Sequence, residues 1–304
     1  MLHFKLLGTA AGGGIPQWNC SCRICALSRK HPEILPPRLQ LQASISGDGR
    51  RWILLNASPD LRSQIESNAE LQPSPANGER NTPIEAIVLT SADLDQVLGV
   101  LLLREFQPLT IYATPLIRRT LEANSFFKMM HRVPNQLTWV DMVTGTTFFL
   151  GDSGIACTPI TLTGGLPLYA KEWNTGIAGD AAVGLLLEND GKRLAYTPAV
   201  PAITAELKAI YESCELVLMD GTFWSDAELS STHRGTPRAR EIGHVPLAGP
   251  EGTIALLADI TSPEKIFVHI NNTNPMLDPR GAECAAVLES GWKIGYDGWE
   301  LKWE

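Results

Sequence analysis

No apolar run in the 304 residues reaches the roughly 18 positions that a membrane-spanning helix needs, so no membrane partner is expected. No basic stretch followed by an apolar one opens the chain, so no export signal is expected either. Cationic residues are the minority: 25 Lys and Arg stand against 33 Asp and Glu, a net charge of -8. That balance argues against a nucleic-acid-binding surface as the main role. Gly8-Thr9-Ala10-Ala11-Gly12-Gly13-Gly14-Ile15-Pro16 lacks both the dinucleotide-fingerprint spacing and the Gly-Lys-Ser/Thr ending of a phosphate loop. It reads as a tight turn that lets backbone approach closely, with a site-lining loop as the alternative. A cytoplasmic protein is the expectation.

What is present is enough apolar material for a large core, at 44% hydrophobic residues. No Pro- or Ser-rich linker divides the chain, so a single domain over residues 1–304 is expected. Three short apolar runs read as buried strands ending in chemically useful side chains. Residues 84–89 lead into Ser91-Ala92-Asp93-Leu94-Asp95-Gln96. Residues 216–219 end in Asp220, followed by Gly221-Thr222. Residues 265–268 end in His269, followed by Ile270-Asn271-Asn272-Thr273-Asn274-Pro275. Ligands of open α/β sheets bind beyond the carboxyl ends of the strands. Asp93, Asp95, Asp220 and His269 therefore point to one metal or substrate crevice.

Three of the six cysteines crowd into Cys20-Ser21-Cys22-Arg23-Ile24-Cys25. In a cytosolic chain such a cluster more often binds metal than forms disulfides. Structural zinc takes four thiolate or imidazole ligands. Cys20, Cys22 and Cys25 supply three, and His31 and His269 are the candidates for the fourth. Cys157, Cys214 and Cys284 sit among apolar neighbours and read as core residues.

Elsewhere, Gly47-Asp48-Gly49 and Asn189-Asp190-Gly191 mark hairpins. Residues 97–104, 115–124, 205–213 and 279–290 read as helices, and 126–134 as a core patch or lid edge. Residues 161–180 form a long glycine-containing loop of the kind that is often functional. Residues 221–249 are polar, with Thr222, His233, Arg234, Arg238, Arg240 and His244. They read as a solvated loop or as an anion-contacting flap.

This order resembles the metallo-β-lactamase superfamily, which implies an α/β (α+β) fold, a four-layer αβ/βα sandwich. That superfamily carries His-x-His-x-Asp-His after a buried strand, where this chain has Ser91-Ala92-Asp93-Leu94-Asp95-Gln96. Further pieces resemble the B-protein family of pyrroloquinoline quinone (PQQ) biosynthesis. They are residues 12–20, Asn56-Ala57-Ser58-Pro59-Asp60, Leu102-Leu103-Arg104-Glu105, Asp220-Gly221-Thr222, Arg240-Glu241-Ile242-Gly243-His244 and the run from His269 to Pro275. The resemblance implies a structural zinc on Cys20, Cys22 and Cys25, with His269 as the fourth ligand. It also implies an iron site held by Asp93, Asp95, Gln96 and Asp220. His244 would be a further ligand or proton-transfer group there. The implied activity is iron-dependent hydroxylation, with O2, of the tyrosine-derived ring in the glutamate–tyrosine cross-linked precursor of PQQ. Arg104, Arg240 and Thr222 would bind that substrate, since guanidinium grips carboxylate bidentately. The alternative is a carrier that holds PQQ or its precursor without chemistry. A zinc hydrolase ranks last, because such sites need imidazole-rich ligation. The small-molecule partner leaves room for a homodimer.

Overall fold

Residues 216–220 are buried along their whole length, and all but the final Asp are apolar. A strand covered on both faces has no polar alternation to show, and it pairs in parallel with neighbours of the same kind. In the computed structural model, which describes residues 1–170, 180–232 and 235–304, this run is a central strand of one of two seven-stranded sheets.

The first sheet takes β1 (Leu2–Gly8), β2 (Gln42–Ser46), β3 (Trp52–Leu55), β4 (Ile84–Val88), β5 (Leu109–Ala113) and β6 (Leu137–Asp141). The second takes β7 (Phe148–Phe149), β8 (Ala156–Leu162), β9 (Ala182–Asn189), β10 (Lys192–Thr197), β11 (Leu216–Asp220), β12 (Glu264–Val268) and β13 (Trp292–Ile294). β14 (Glu300–Trp303) returns to pair with β1. The strand orders are β14-β1-β2-β3-β4-β5-β6 and β13-β12-β11-β10-β9-β8-β7. In each sheet antiparallel pairing gives way to parallel pairing, at β3–β4 and at β10–β11. The chain thus makes the same mixed sheet twice.

Phe4, Leu6, Ile45 and Val88 of the first sheet meet Leu185, Leu187, Tyr196 and Ile266 of the second in one buried cluster between the sheets. Helices cover the two outer faces. Leu61, Ile117 and Leu121 lie in the cluster outside the first sheet. Ile24, Leu207, Tyr211 and Val287 lie in the one outside the second. The four-layer order follows from burying both faces of both sheets. No helix among the described residues is long and apolar enough to cross a membrane.

The helix expected over 97–104 takes a tighter form: one α-turn, Leu94–Val97, then a 3-10 run, Leu98–Leu103. Gly99 explains why that segment can sit so low, since a Cβ there would lie 2.2 Å from the Ser58 carbonyl oxygen. Residues 126–134 divide as a lid edge would: Phe127 and Met130 are buried, while Phe126 and Met129 are exposed. Of the long loop over 161–180, residues 171–179 lie outside the described residues. So do His233 and Arg234 of the 221–249 flap. Cys157, Cys214 and Cys284 are buried.

Candidate metal centres

The parallel strands deliver their side chains to one edge. β4 runs into the loop that carries Ser91, Asp93 and Asp95. β11 ends in Asp220, and β12 stops one residue before His269, whose backbone turns into the left-handed region at φ 55°. That conformation is uncommon for a residue with a Cβ and persists only where surroundings impose it. Here the impositions are visible. The Thr222 hydroxyl lies 2.9 Å from the His269 carbonyl oxygen and 2.8 Å from its Nδ1, and Ile270 N donates to Thr9 O at 2.9 Å.

His244 reaches the same point from the far end of the flap. Its Nδ1 lies 2.7 Å from Asp220 Oδ2, and its ring stacks on that of His269 with centroids 5.5 Å apart. One ligand atom from each of Asp220, His244 and His269 falls within 4.8 Å of the others. Asp220 is fully engaged: Oδ1 accepts from Thr222 Oγ1 at 2.6 Å and Thr222 N at 3.0 Å, and Oδ2 from Val200 N at 2.9 Å. Asp95 Oδ2 lies 3.0 Å from His269 Nε2.

Charge explains the protonation pattern. Burial favours the neutral acids, yet the His244 charge and hydrogen bond pull Asp220 below the usual carboxylate range. Burial likewise opposes the Asp95 charge, and the hydrogen bond and charge of His269 outweigh it. For His269, burial pulls downward while Asp95, Asp220 and Asp93 push its pKa up. Asp93 differs: burial dominates and raises its pKa. Its carboxylate accepts from Ser91 Oγ, at 2.7 Å.

The second cluster is local. Cys20, Cys22 and Cys25 bring their sulfurs within 4.8 Å of one another. Three backbone N–H groups point at those sulfurs, from Cys22 to Cys20, from Cys25 to Cys22 and from Gln17 to Cys25, at 3.4, 3.5 and 3.4 Å. Such donors offset negative charge on sulfur, so the cradle suits three thiolates around a soft cation.

Several expectations from the sequence change. His269 is not the fourth partner of the cysteines, because Thr222 and Asp95 engage both of its ring nitrogens in the crevice. Gln96 is buried, and its Oε1 lies 2.7 Å from Thr90 Oγ1 and 3.1 Å from Ser91 Oγ, turned to these hydroxyls rather than grouped with Asp220, His244 and His269. Thr222 is buried beneath the crevice, its hydroxyl against Asp220 and His269. Arg104 lies at the surface beside Glu105 and bonds the Leu101 carbonyl. The Arg240 guanidinium bonds the Glu251 carbonyl at 2.7 Å. Neither arginine makes a described contact with the crevice cluster. The glycine loop does line the site, because a Cβ on Gly12 would lie 3.6 Å from Asp95 Cβ. Asn272, in the polar run after β12, has no role assigned from the sequence, and the structure sets its side chain against Cys25 and Cys22.

Comparison with known proteins decides the family. A model described as the Beta-lactamase superfamily domain matches residues 51–270. Coenzyme PQQ synthesis protein B of Methylorubrum extorquens is 40% identical over 307 residues, covering 99% of each chain. That of Rhizobium meliloti is 37% identical over 308 residues, covering 99% of this chain and 98% of the other. The chain belongs to the coenzyme PQQ synthesis protein B family. The crystal structure of Zn(2+)-bound PqqB from Methylobacterium extorquens superposes with a TM-score of 0.91 at 39% identity, over 99% of this chain and all of that one. A diphosphatase of the PhnP family shares the fold at 18% identity, with a TM-score of 0.67 over 99% and 96% of the two chains. The two mixed sheets and their helices are thus the metallo-β-lactamase fold expected from the sequence.

Proposed function

We propose that this chain acts in PQQ synthesis as an iron-dependent oxygenase, hydroxylating the tyrosine-derived ring of the glutamate–tyrosine cross-linked precursor. The relatives' names support the pathway. The observation that carries the chemistry is the convergence of two imidazoles and one carboxylate, His244, His269 and Asp220, within 4.8 Å. That donor set suits non-haem Fe(II) and leaves open positions for O2 and substrate. Bound iron would supply O2 activation. Thr222 fixes the Asp220 carboxylate and the turn at His269. Thr222 at Nδ1 orients the His269 ring, as second partners of ligating histidines do, and Asp95 Oδ2, 3.0 Å from Nε2, would be a further oxygen donor to the metal on that side. His269, whose pKa the surrounding acids raise, would hold the metal in its neutral form, so metal affinity would rise with pH. Asp93, whose pKa burial raises, stands at the edge of the site as a group that could transfer a proton to the substrate. Zinc on Cys20, Cys22 and Cys25 has a structural part, supported by the zinc-bound relative and by the N–H groups around the sulfurs.

The test is aerobic turnover of the cross-linked intermediate by iron-loaded protein, with added ascorbate to supply the two electrons that reduce the second oxygen atom of O2 to water, read by mass spectrometry, with Asp220→Ala alongside. Wild type should add oxygen to the ring, and the variant should lose both iron and activity. An unchanged intermediate beside iron-loaded wild type would sink the oxygenase. Gln96, whose oxygen is captured by two hydroxyls, favours the second reading, a carrier for PQQ or its precursor. Tight binding of that ligand with no turnover would establish it.

A further inference from the structure

A cavity of about 470 Å³ opens beside the turn that joins β13 to β14. That volume lies within the range of small-molecule sites. None of Asp95, Asp220, His244 and His269 lines it, so it is separate from the metal crevice. Most of its wall is apolar, from Leu35, Met276 and Leu277 to Leu288 of the helix Ala282–Glu289. The charged side chains in the lining are Arg38 and Lys293, with no carboxylate beside them. In a chain of net charge -8 an all-cationic lining runs against the composition.

The two cations differ in what they have left to offer. Lys293 Nζ pairs with Glu264 at 2.8 Å. Arg38 makes no ion pair among the described residues. Its Nη1 donates to Thr9 Oγ1 at 3.3 Å and to the Gly295 carbonyl, and its Nε and Nη2 donate to no described residue. Burial pulls the Arg38 guanidinium below its usual range, and the Asp297 charge restores only part of that. Asp297 is itself held by neutral donors, Thr9 Oγ1 at 2.6 Å and Leu39 N at 2.7 Å. A guanidinium in this condition has a planar pair of N–H groups to spare, the fork that a carboxylate fits.

Two aromatic side chains complete the lining, Trp299 and Tyr296. The Trp299 ring stands edge-on to Phe4 with centroids 6.2 Å apart, and its carbonyl accepts from Leu6 N at 2.8 Å. Gly295 N donates to Phe267 O at 2.9 Å. Both ends of the turn are thus tied to the sheets, and the wall is set before any ligand arrives. Apolar walls with an indole among them favour a flat ring over a polar body.

We propose that this cavity binds a small aromatic carboxylate, its carboxylate on Arg38 and its ring against Trp299 and Tyr296. The site stands independently of the metal crevice and of the oxygenase reading.

The experiment is isothermal titration calorimetry of metal-loaded protein with naphthoate and with naphthamide, its neutral isostere. Wild type, Leu288→Trp and Arg38→Gln are compared, with circular dichroism to follow the fold. Wild type should bind naphthoate, and naphthamide should bind at least about 10-fold more weakly, because the pairing with a charged group is lost. Leu288 is exposed at the rim, so Leu288→Trp should keep the fold, fill the cavity and abolish binding. Arg38→Gln should weaken naphthoate about as much as the amide does. Folded wild type that binds no naphthoate would overturn the site. Equal affinity for naphthamide would overturn the role of Arg38, and tighter binding of octanoate would overturn the aromatic class. Unchanged binding by Leu288→Trp would place the ligand elsewhere. A dimer that Leu288→Trp breaks, with no naphthoate bound by wild type, would give the cavity to a second copy of the chain instead. If Arg38→Gln does not fold, naphthamide and Leu288→Trp still decide.

Discussion

Replacing Thr222 with Val removes one hydroxyl and keeps the side chain's shape. That hydroxyl is 2.6 Å from Asp220 Oδ1, 2.9 Å from the His269 carbonyl and 2.8 Å from His269 Nδ1. In the imidazolium form, His269 Nδ1–H donates to the hydroxyl and the hydroxyl donates to Asp220, so one side chain joins two ligands. A hydrogen bond to a charged group contributes about 1.5–3 kcal/mol. The Asp220 carboxylate keeps Thr222 N, Val200 N and His244 as donors, which argues for the middle of that range, about 2 kcal/mol. At roughly 2 °C per kcal/mol for a chain of this size, Tm should fall by about 4 °C. Iron affinity should drop further in proportion, by about 10- to 100-fold, because an oriented ligand set is lost. Scanning calorimetry of zinc-loaded protein reads the first effect, and iron titration reads the second. Thr222→Ser keeps the hydroxyl and should restore both. An unchanged Tm and an unchanged iron affinity in Thr222→Val would refute the claim that this hydroxyl organises the crevice.

Two further substitutions separate structural from ligating roles. Gln96→Leu strands the hydroxyls of Thr90 and Ser91, but each retains another acceptor, Asn56 Oδ1 at 3.0 Å and Asp93 Oδ2 at 2.7 Å. The cost should stay near ~1 kcal/mol in urea denaturation, with iron content unchanged; loss of iron would make Gln96 a ligand after all. Asp48 caps its hairpin: Arg51 N, Arg50 N and the Arg51 guanidinium hold its carboxyl well below the usual range. A depressed folded pKa means stability that is present above the ordinary carboxylate pKa of about 4 and lost as pH falls through the folded value. Asp48→Asn should therefore be less stable than wild type at neutral pH, by under ~1 kcal/mol for so exposed a pair, and the gap should close in strong acid. A gap that does not vary with pH would contradict the assignment.

The strands were legible because burial writes itself into apolar runs. Residues 84–89 and 216–220 nearly coincide with β4 and β11. The cysteine cluster was legible because its sulfurs are local, all within the six consecutive residues from Cys20 to Cys25. The crevice was legible only as an address. Its members come from residues 95, 220, 244 and 269, and nothing within any one segment says which atom meets which. Gln96 shows the difficulty. In sequence it follows two acids and offers an amide oxygen, while in the fold Thr90 and Ser91 have already taken that oxygen. Arg104 and Arg240 show it again, since a long side chain beside a site can as easily turn to a backbone carbonyl. His269 is the sharpest case. Sequence offers one histidine to two clusters, and the choice is made by backbone: a left-handed residue at the end of β12 commits the imidazole to the crevice. Asn272, three residues further along, then meets the sulfurs. A strap that serves two sites has its division of labour set by its dihedral angles, which no residue type in it announces.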